Sequence, residues 1–278
     1  MRRTLVWLCL LLGVAAPAVA APSVVNVVGR DTSKFPGQVS VLYEDLATHH
    51  RVAWRPAQSF EAASLIKLPI CIEAYCRWAE GKLDMNERLT LRAGDITTFS
   101  DALKGAKPGR QYTVRQLCEA MITWSDNTAT DVLLRRLGMA SINARLASLG
   151  LHDTHVRSDM RHLLYSNGQS NVTTANDMAI MLEDIYQKHG MPAKAADGVL
   201  DLLKHQHRRH AIPARLPKGT VVANKTGELN DALHDCGVVY GPKGPYILCM
   251  LSRGITDKAA ARSALQGLSL DIYHAVSR

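Results

Sequence analysis

Apolar and polar positions along this chain follow two different rhythms, and the rhythms fall in blocks. Period-two alternation rich in β-branched residues predicts strands over 39–43 and 51–54, separated by a His-rich turn. Helical spacing takes over at 64–79, with Gly81 as a stop, and returns at 114–123, 129–137, 140–148, 174–187 and 199–204. Residues suited to capping open the 174–187 segment. Strand character comes back at 220–226, 236–240 and 246–251, and an amphipathic helix over 258–275 closes the sequence. Strands, a long helical block, three strands and a helix predict an α+β fold. Its antiparallel sheet is drawn from both ends of the chain, with an all-helical subdomain inserted between them. That places sheet residues at 38–63 and 215–278 and helical residues at about 64–214, within one domain spanning 38–278. Residues 21–37 read as a polar lead-in. A cleft between the two parts is the natural position for a pocket.

The first twenty residues carry a different signal. Arg2 and Arg3 precede an apolar stretch from Leu5 to Val14, and Ala18-Val19-Ala20 offers a small-residue cleavage site. This reads as an export signal, too short to stay as a membrane span, and no later segment is long and apolar enough to be one. A periplasmic or extracellular protein, off the membrane once the signal is cleaved, is expected. The formal charge of +8 suits an anionic small substrate or a negatively charged envelope. The basic cluster of Arg208 and Arg209 among His205, His207 and His210 has no interleaved aromatics, so nucleic-acid binding is a poor fit. Eleven histidines are present, yet none is set with Cys or acidic residues at zinc-ligand spacing. No metal or cofactor is called for.

Chemistry concentrates in three strings that occur in order: Ser64-Leu65-Ile66-Lys67, Ser125-Asp126-Asn127 and Lys225-Thr226-Gly227. A serine hydroxyl is a weak nucleophile at neutral pH and needs a base. In S-x-x-K on a helix the two side chains lie about one turn apart and face the same way, so Lys67 can act on Ser64 without a histidine. Ser125 and Asn127 add a hydroxyl and an amide, while Lys225 and Thr226 add a cation and a hydroxyl from a strand edge. Asp126 reads as structural, bonding backbone in its loop. Each string alone is weak; the ordered set describes one acyl-transfer site.

With those motifs the chain resembles the class A serine β-lactamases and their penicillin-recognising relatives, for which this motif set is characteristic. The likeness extends to Tyr112–Cys118, Ile122–Ala129, Val172–Met178 and Pro217–Lys225, and covers roughly residues 38 to 276. The resemblance implies a three-layer α/β/α arrangement around a five-stranded antiparallel sheet, and a monomer acting on a β-lactam or a peptidoglycan-like small molecule. Ser64 is then the nucleophile, Lys67 its base and Ser125 a proton relay to the leaving nitrogen. Asn127 orients the acyl amide, and Lys225, Thr226 and Gly227 receive the substrate carboxylate. The oxyanion hole is the backbone N–H pair of Ser64 and Glu228. The resemblance also implies a Cys71–Cys118 disulfide joining two catalytic elements, with Cys76 unpaired. If Gly241–Gly244 is a hairpin turn, Cys236 and Cys249 fall opposite each other.

Two departures stand out. The family uses an omega-loop glutamate to hydrolyse the acyl-enzyme, and no glutamate lies between Glu119 and Glu183. Matching Asp159 to that loop's aspartate puts His162 at the glutamate position, as a possible deacylation base. Counting back from the hairpin turn puts His234 where many relatives hold a carboxylate-binding arginine, with Arg208 or Arg209 as substitutes. The sequence therefore predicts a β-lactamase-like hydrolase with slow deacylation. Its alternatives are a D,D-peptidase or esterase with the same nucleophile, and a penicillin binder that does not turn over.

Overall fold

A computed structural model gives the structure of the protein and describes residues 23–97, 99–161 and 170–278. The expected export signal over residues 1–20, with its cleavage site, and His162 lie outside the described residues.

The sheet forms as the apolar pattern dictates. Strands β1 (Gln38–Asp45) and β2 (Arg51–Trp54) come from the early part of the chain, and β7 (Val222–Glu228), β8 (Leu233–Gly241) and β9 (Gly244–Arg253) from the late part. They assemble antiparallel in the order β2-β1-β9-β8-β7. The three central strands are apolar on both faces because both faces are covered. Val39, Val41, Leu248 and Met250 point into one core; Leu42, Ile247, Cys249 and Leu251 point into the other.

The first core is closed by two helices, α1 (Val24–Thr32) and α8 (Lys258–Val276), which pack on each other. Residues 21–37 are thus not a plain lead-in. Ser23 caps α1 by accepting from Asn26 N, and Val27 and Val28 bury against the sheet. In α8, Leu265, Leu268 and Ile272 recur at helical spacing and are buried, each contributing roughly 2 kcal/mol by leaving water.

The second core holds the helical insertion: α2 (Lys67–Ala79), α3 (Val114–Thr123), α4 (Asn127–Leu137), α5 (Met139–Ser148), α6 (Ala175–Gln187) and α7 (Ala193–Lys204). Helix α6 lies on β9 and β1, and α7 on β7. The layers are therefore helix, sheet, helix, as the resemblance implies. Short pairs β3 (Phe60–Glu61) with β6 (Val172–Thr173), and β4 (Arg88–Thr90) with β5 (Gln111–Thr113), tie the insertion's loops together. The sequence estimate of α7 began at 199, six residues late, because its first turn is small and polar.

Cysteine placement differs from expectation at one point. Cys236 and Cys249 are direct register partners across β8 and β9, as the hairpin reading required. Cys71 and Cys118 also meet, one thiol hydrogen-bonded to the other, but both are buried free thiols and the expected bridge is not formed. Burial pushes the Cys71 thiol well above its ordinary range. Cys76 is buried and unpaired, as expected.

Candidate active site

The three motifs converge where the sheet meets the helical insertion. Ser64 lies on a 3-10 turn, Ala63–Ile66, that feeds directly into α2, whose first residue is Lys67. In 3-10 geometry positions i and i+3 eclipse. The lysine is therefore set over the serine more squarely than on an α-helix, with Nζ 2.9 Å from Ser64 Oγ. The residue before the nucleophile, Ala63, has φ of 46°, and Ser125 has φ of 61°. Non-glycine residues in this left-handed region cost free energy, and here two of them flank one cleft.

Ser125 ends the connection from α3 to α4, and Asp126 explains how it is held. One carboxylate oxygen of Asp126 accepts from Ala129 N and caps α4; the other accepts from Leu103 N. That is the structural role its sequence context suggested. The connection then presents Ser125 O, Ser125 Oγ and Asn127 Oδ1 to Lys67 Nζ at 2.7, 3.2 and 2.6 Å.

Four oxygens thus surround a nitrogen that carries three hydrogens as an ammonium and two as an amine. The two shortest contacts go to carbonyl oxygens, which only accept. The two hydroxyls can reverse polarity. As an amine, Lys67 donates to Ser125 O and Asn127 Oδ1 and has its lone pair free for the Ser64 hydrogen. Lys67 is fully buried, and desolvation is the main cause that lowers its pKa to about 7; Arg208 pushes the same way, while Asp126 and Asp131 oppose.

Lys225 closes the triangle from the sheet. Its Nζ donates to Ser125 Oγ at 3.0 Å and to Thr226 O at 2.9 Å. It is also fully buried, and burial, then Lys67, then Arg208 hold it well below its ordinary range. β7 is an outer strand, so the edge that carries Lys225, Thr226 and Gly227 looks into the cleft. Gly227 is required there: a Cβ would lie 3.2 Å from Ala63 Cβ and 3.3 Å from Ala62 O. The missing side chain lets the nucleophile's turn close on the strand.

The cleft itself has a volume of about 370 Å³. Ser64, Ser125, Asn127, Thr226 and Glu228 line it, together with Arg208, which the sequence offered with Arg209 as a substitute carboxylate ligand. Arg208 gets there because the segment after α7 is pinned to the end of α3. Gln206 Nε2 donates to Ile122 O, His207 stacks on Trp124 with ring centroids 3.9 Å apart, and Arg208 Nε donates to Trp124 O. The guanidinium also pairs with Asp101. Two members of the basic cluster, Arg208 and His210, thus line the cleft. Further additions include Phe99, Met160, His210 and Lys258. Glu228, whose amide is the expected oxyanion donor, turns its carboxylate to Lys258 at 2.8 Å and Arg262 at 3.5 Å.

His234 does not serve as the expected carboxylate ligand. Its Nε2 bonds Glu61 O and its Nδ1 accepts from Ser252 N, so both ring nitrogens are engaged. Burial lowers its pKa to about 4, and it stays neutral, packed beneath Gly227. Arg208 and Lys258 are the cationic side chains in the lining of the cleft among the described residues.

Comparison with known proteins gives the family and the fold. The profile of the β-lactamase enzyme family matches residues 23–276. A β-lactamase of Bacillus licheniformis is 27% identical over 227 residues, covering 79% of this chain and 72% of that protein. Among solved structures, PBP-A superposes with a TM-score of 0.83 at 28% identity, covering 93% of this chain and 98% of the other. A mutant of PBP-A in an acyl-enzyme complex with penicillin G matches equally well, at 27% identity over 93% and 99% of the two chains. An ancestral class A β-lactamase superposes at 0.84 with 25% identity, over 91% of this chain and all of that one.

Proposed function

The chain belongs to the β-lactamase enzyme family, and from that premise we propose that it is an exported serine hydrolase that opens the β-lactam amide through a Ser64 acyl-enzyme. The observation that carries the reading is the contact of Lys67 Nζ with Ser64 Oγ at 2.9 Å inside a shell that accommodates a neutral amine. Lys67 takes the Ser64 hydrogen as Oγ attacks the carbonyl carbon. The backbone N–H groups of Ser64 and Glu228 receive the developing oxyanion, a contribution worth ~3 kcal/mol per donor in comparable sites. The C–N bond breaks, Ser125 Oγ gives its hydrogen to the departing nitrogen, and Lys67 restores it. Asn127 orients the acyl amide, while Thr226, Lys225 and Arg208 hold the substrate carboxylate.

Release of the acyl group is slow in this reading, because no glutamate occurs between Glu119 and Glu183 to activate water. His162 is the sequence candidate for a substitute base. Residues 1–20 direct export.

A second reading keeps the nucleophile and changes the acyl donor to a muropeptide or a small ester. The same missing glutamate favours it, since a D,D-peptidase does not use that residue. Intact-mass spectrometry after mixing with penicillin G or nitrocefin decides between them. The proposal expects one adduct, absent in Ser64→Ala, that persists from minutes to hours. No adduct with any β-lactam, alongside turnover of esters or muropeptides, would transfer the assignment to the second reading.

A further inference from the structure

We infer that Asp131, buried one helical turn behind Asn127, is a positioning residue that sets the charge of Lys67 and thereby the pH at which Ser64 is activated. The inference rests on the acyl-transfer reading above. Its starting point is helix geometry: Asn127 and Asp131 are i and i+4 on α4 and share a face, and Asn127 Oδ1 already touches Lys67 Nζ.

The surroundings of Asp131 are unusual for a carboxylate. It is 5% exposed. Oδ1 accepts from Met160 N at 2.7 Å, while Oδ2 has no hydrogen-bond partner among the described residues. A buried oxygen left without a donor is costly, so the group needs either a proton or a nearby cation. From α2 it faces Lys67; from the 158–161 segment, Asp159; from the 93–95 turn, Asp95, which pairs with Arg135. Lys67 favours its ionised form, and the two aspartates oppose it. Lys67 in turn feels Asp126, Arg208, Asp131 and Asp101, and from β7 it meets Lys225, whose Nζ shares Ser125 Oγ with it.

Burial brings the two groups together in pH: it raises Asp131 to about 7, while Lys67 falls to about 7. An ionised Asp131 favours the ammonium form of Lys67, so removing its charge lets Lys67 lose its proton at lower pH. The chain thereby obtains from α4 an acid that balances Lys67, in a sequence with no glutamate between 119 and 183. The plain alternative is that Asp131 only anchors the 158–161 segment through Met160 N. Asp131→Asn separates the two, because the amide oxygen keeps that bond and loses the charge.

The test uses the mature protein labelled with 13Cε-lysine, with Lys67 assigned through Lys67→Arg. In Asp131→Asn the Lys67 midpoint should fall by roughly one pH unit, and the acid limb of the acylation rate should move with it. An unchanged midpoint in a folded Asp131→Asn overturns the inference. The reciprocal measurement covers a variant that fails to fold. With 13Cγ-aspartate label, the Asp131 midpoint should rise by a similar amount in Lys67→Met, and no movement overturns the inference equally. If no acyl donor modifies Ser64, the function proposed above fails, while both titrations still decide the question of Asp131.

Discussion

Replacing Arg208 with alanine separates two effects that the structure assigns to one guanidinium. It lines the cleft, where the proposed function has it hold the substrate carboxylate, and it also depresses Lys67 and Lys225 electrostatically. Losing a charge-assisted bond to a substrate carboxylate costs about 1.5–3 kcal/mol, or roughly 10- to 150-fold in acylation efficiency. Losing the field raises the Lys67 midpoint and shrinks the amine fraction near neutrality, whatever the substrate. The two contributions part when a β-lactam and its neutral methyl ester are compared at pH 7 and pH 9. At pH 9 the field effect has faded, and Arg208→Ala should slow only the carboxylate, by the factor above. Arg208→Lys should recover part of it, because an ammonium supplies charge without the bidentate fork. Stopped-flow acylation rates for both compounds provide the readout. Equal loss for acid and ester at pH 9 would refute the carboxylate role and leave Arg208 as a wall of the cleft.

Two further outcomes follow from the same geometry. Lys67 is depressed to about 7, so its base form appears as pH rises through that value. Acylation should fall about fivefold from pH 7 to 6 and about tenfold for each unit below, and Lys67→Arg should cost roughly 10²–10⁴-fold. A midpoint above pH 9, or a Lys67→Arg enzyme within tenfold of the parent, would contradict the lysine-base assignment. Gly227→Ala puts a methyl 3.0 Å from His234 Cδ2 and 3.2 Å from Ala63 Cβ. It should push the nucleophile's turn off β7, lowering stability by about 1–3 kcal/mol and acylation at least tenfold; calorimetry and burst kinetics check the two together.

What sequence could and could not reveal divides along physical lines. The five strands of the main sheet, α3 and α8 were legible because burial imposes their periodicity, whereas the short strands β3 to β6 carry too few residues to show one. Ser64, Lys67, Ser125 and Lys225 were legible because their chemistry needs particular side chains at short spacing. Helix α1 was missed since Val24, Val25, Val27 and Val28 are β-branched and Gly29 follows, a poor local helix signal that packing on α8 overrides. His234 was misplaced for another reason. Counting residues from a turn gives a position on a strand but not a hydrogen-bond set, and Glu61 O and Ser252 N are far away in sequence. Arg208 reaches the cleft through Gln206 and His207, a tether invisible to composition. Asp131 was legible as one letter in Asn127-Thr128-Ala129-Thr130-Asp131, but only burial and an unsatisfied oxygen give that letter chemical weight.

The place of β7 at the margin of the sheet has a consequence outside catalysis. A bare strand margin offers unpaired amides and carbonyls to any other strand and invites stacking of one molecule on another. Here the Ala63–Ile66 turn packs on β7 beside Gly227. The segment that delivers the nucleophile is then expected also to limit access to that margin. Loosening it should appear in light scattering as well as in kinetics, tying solubility to the integrity of the catalytic turn.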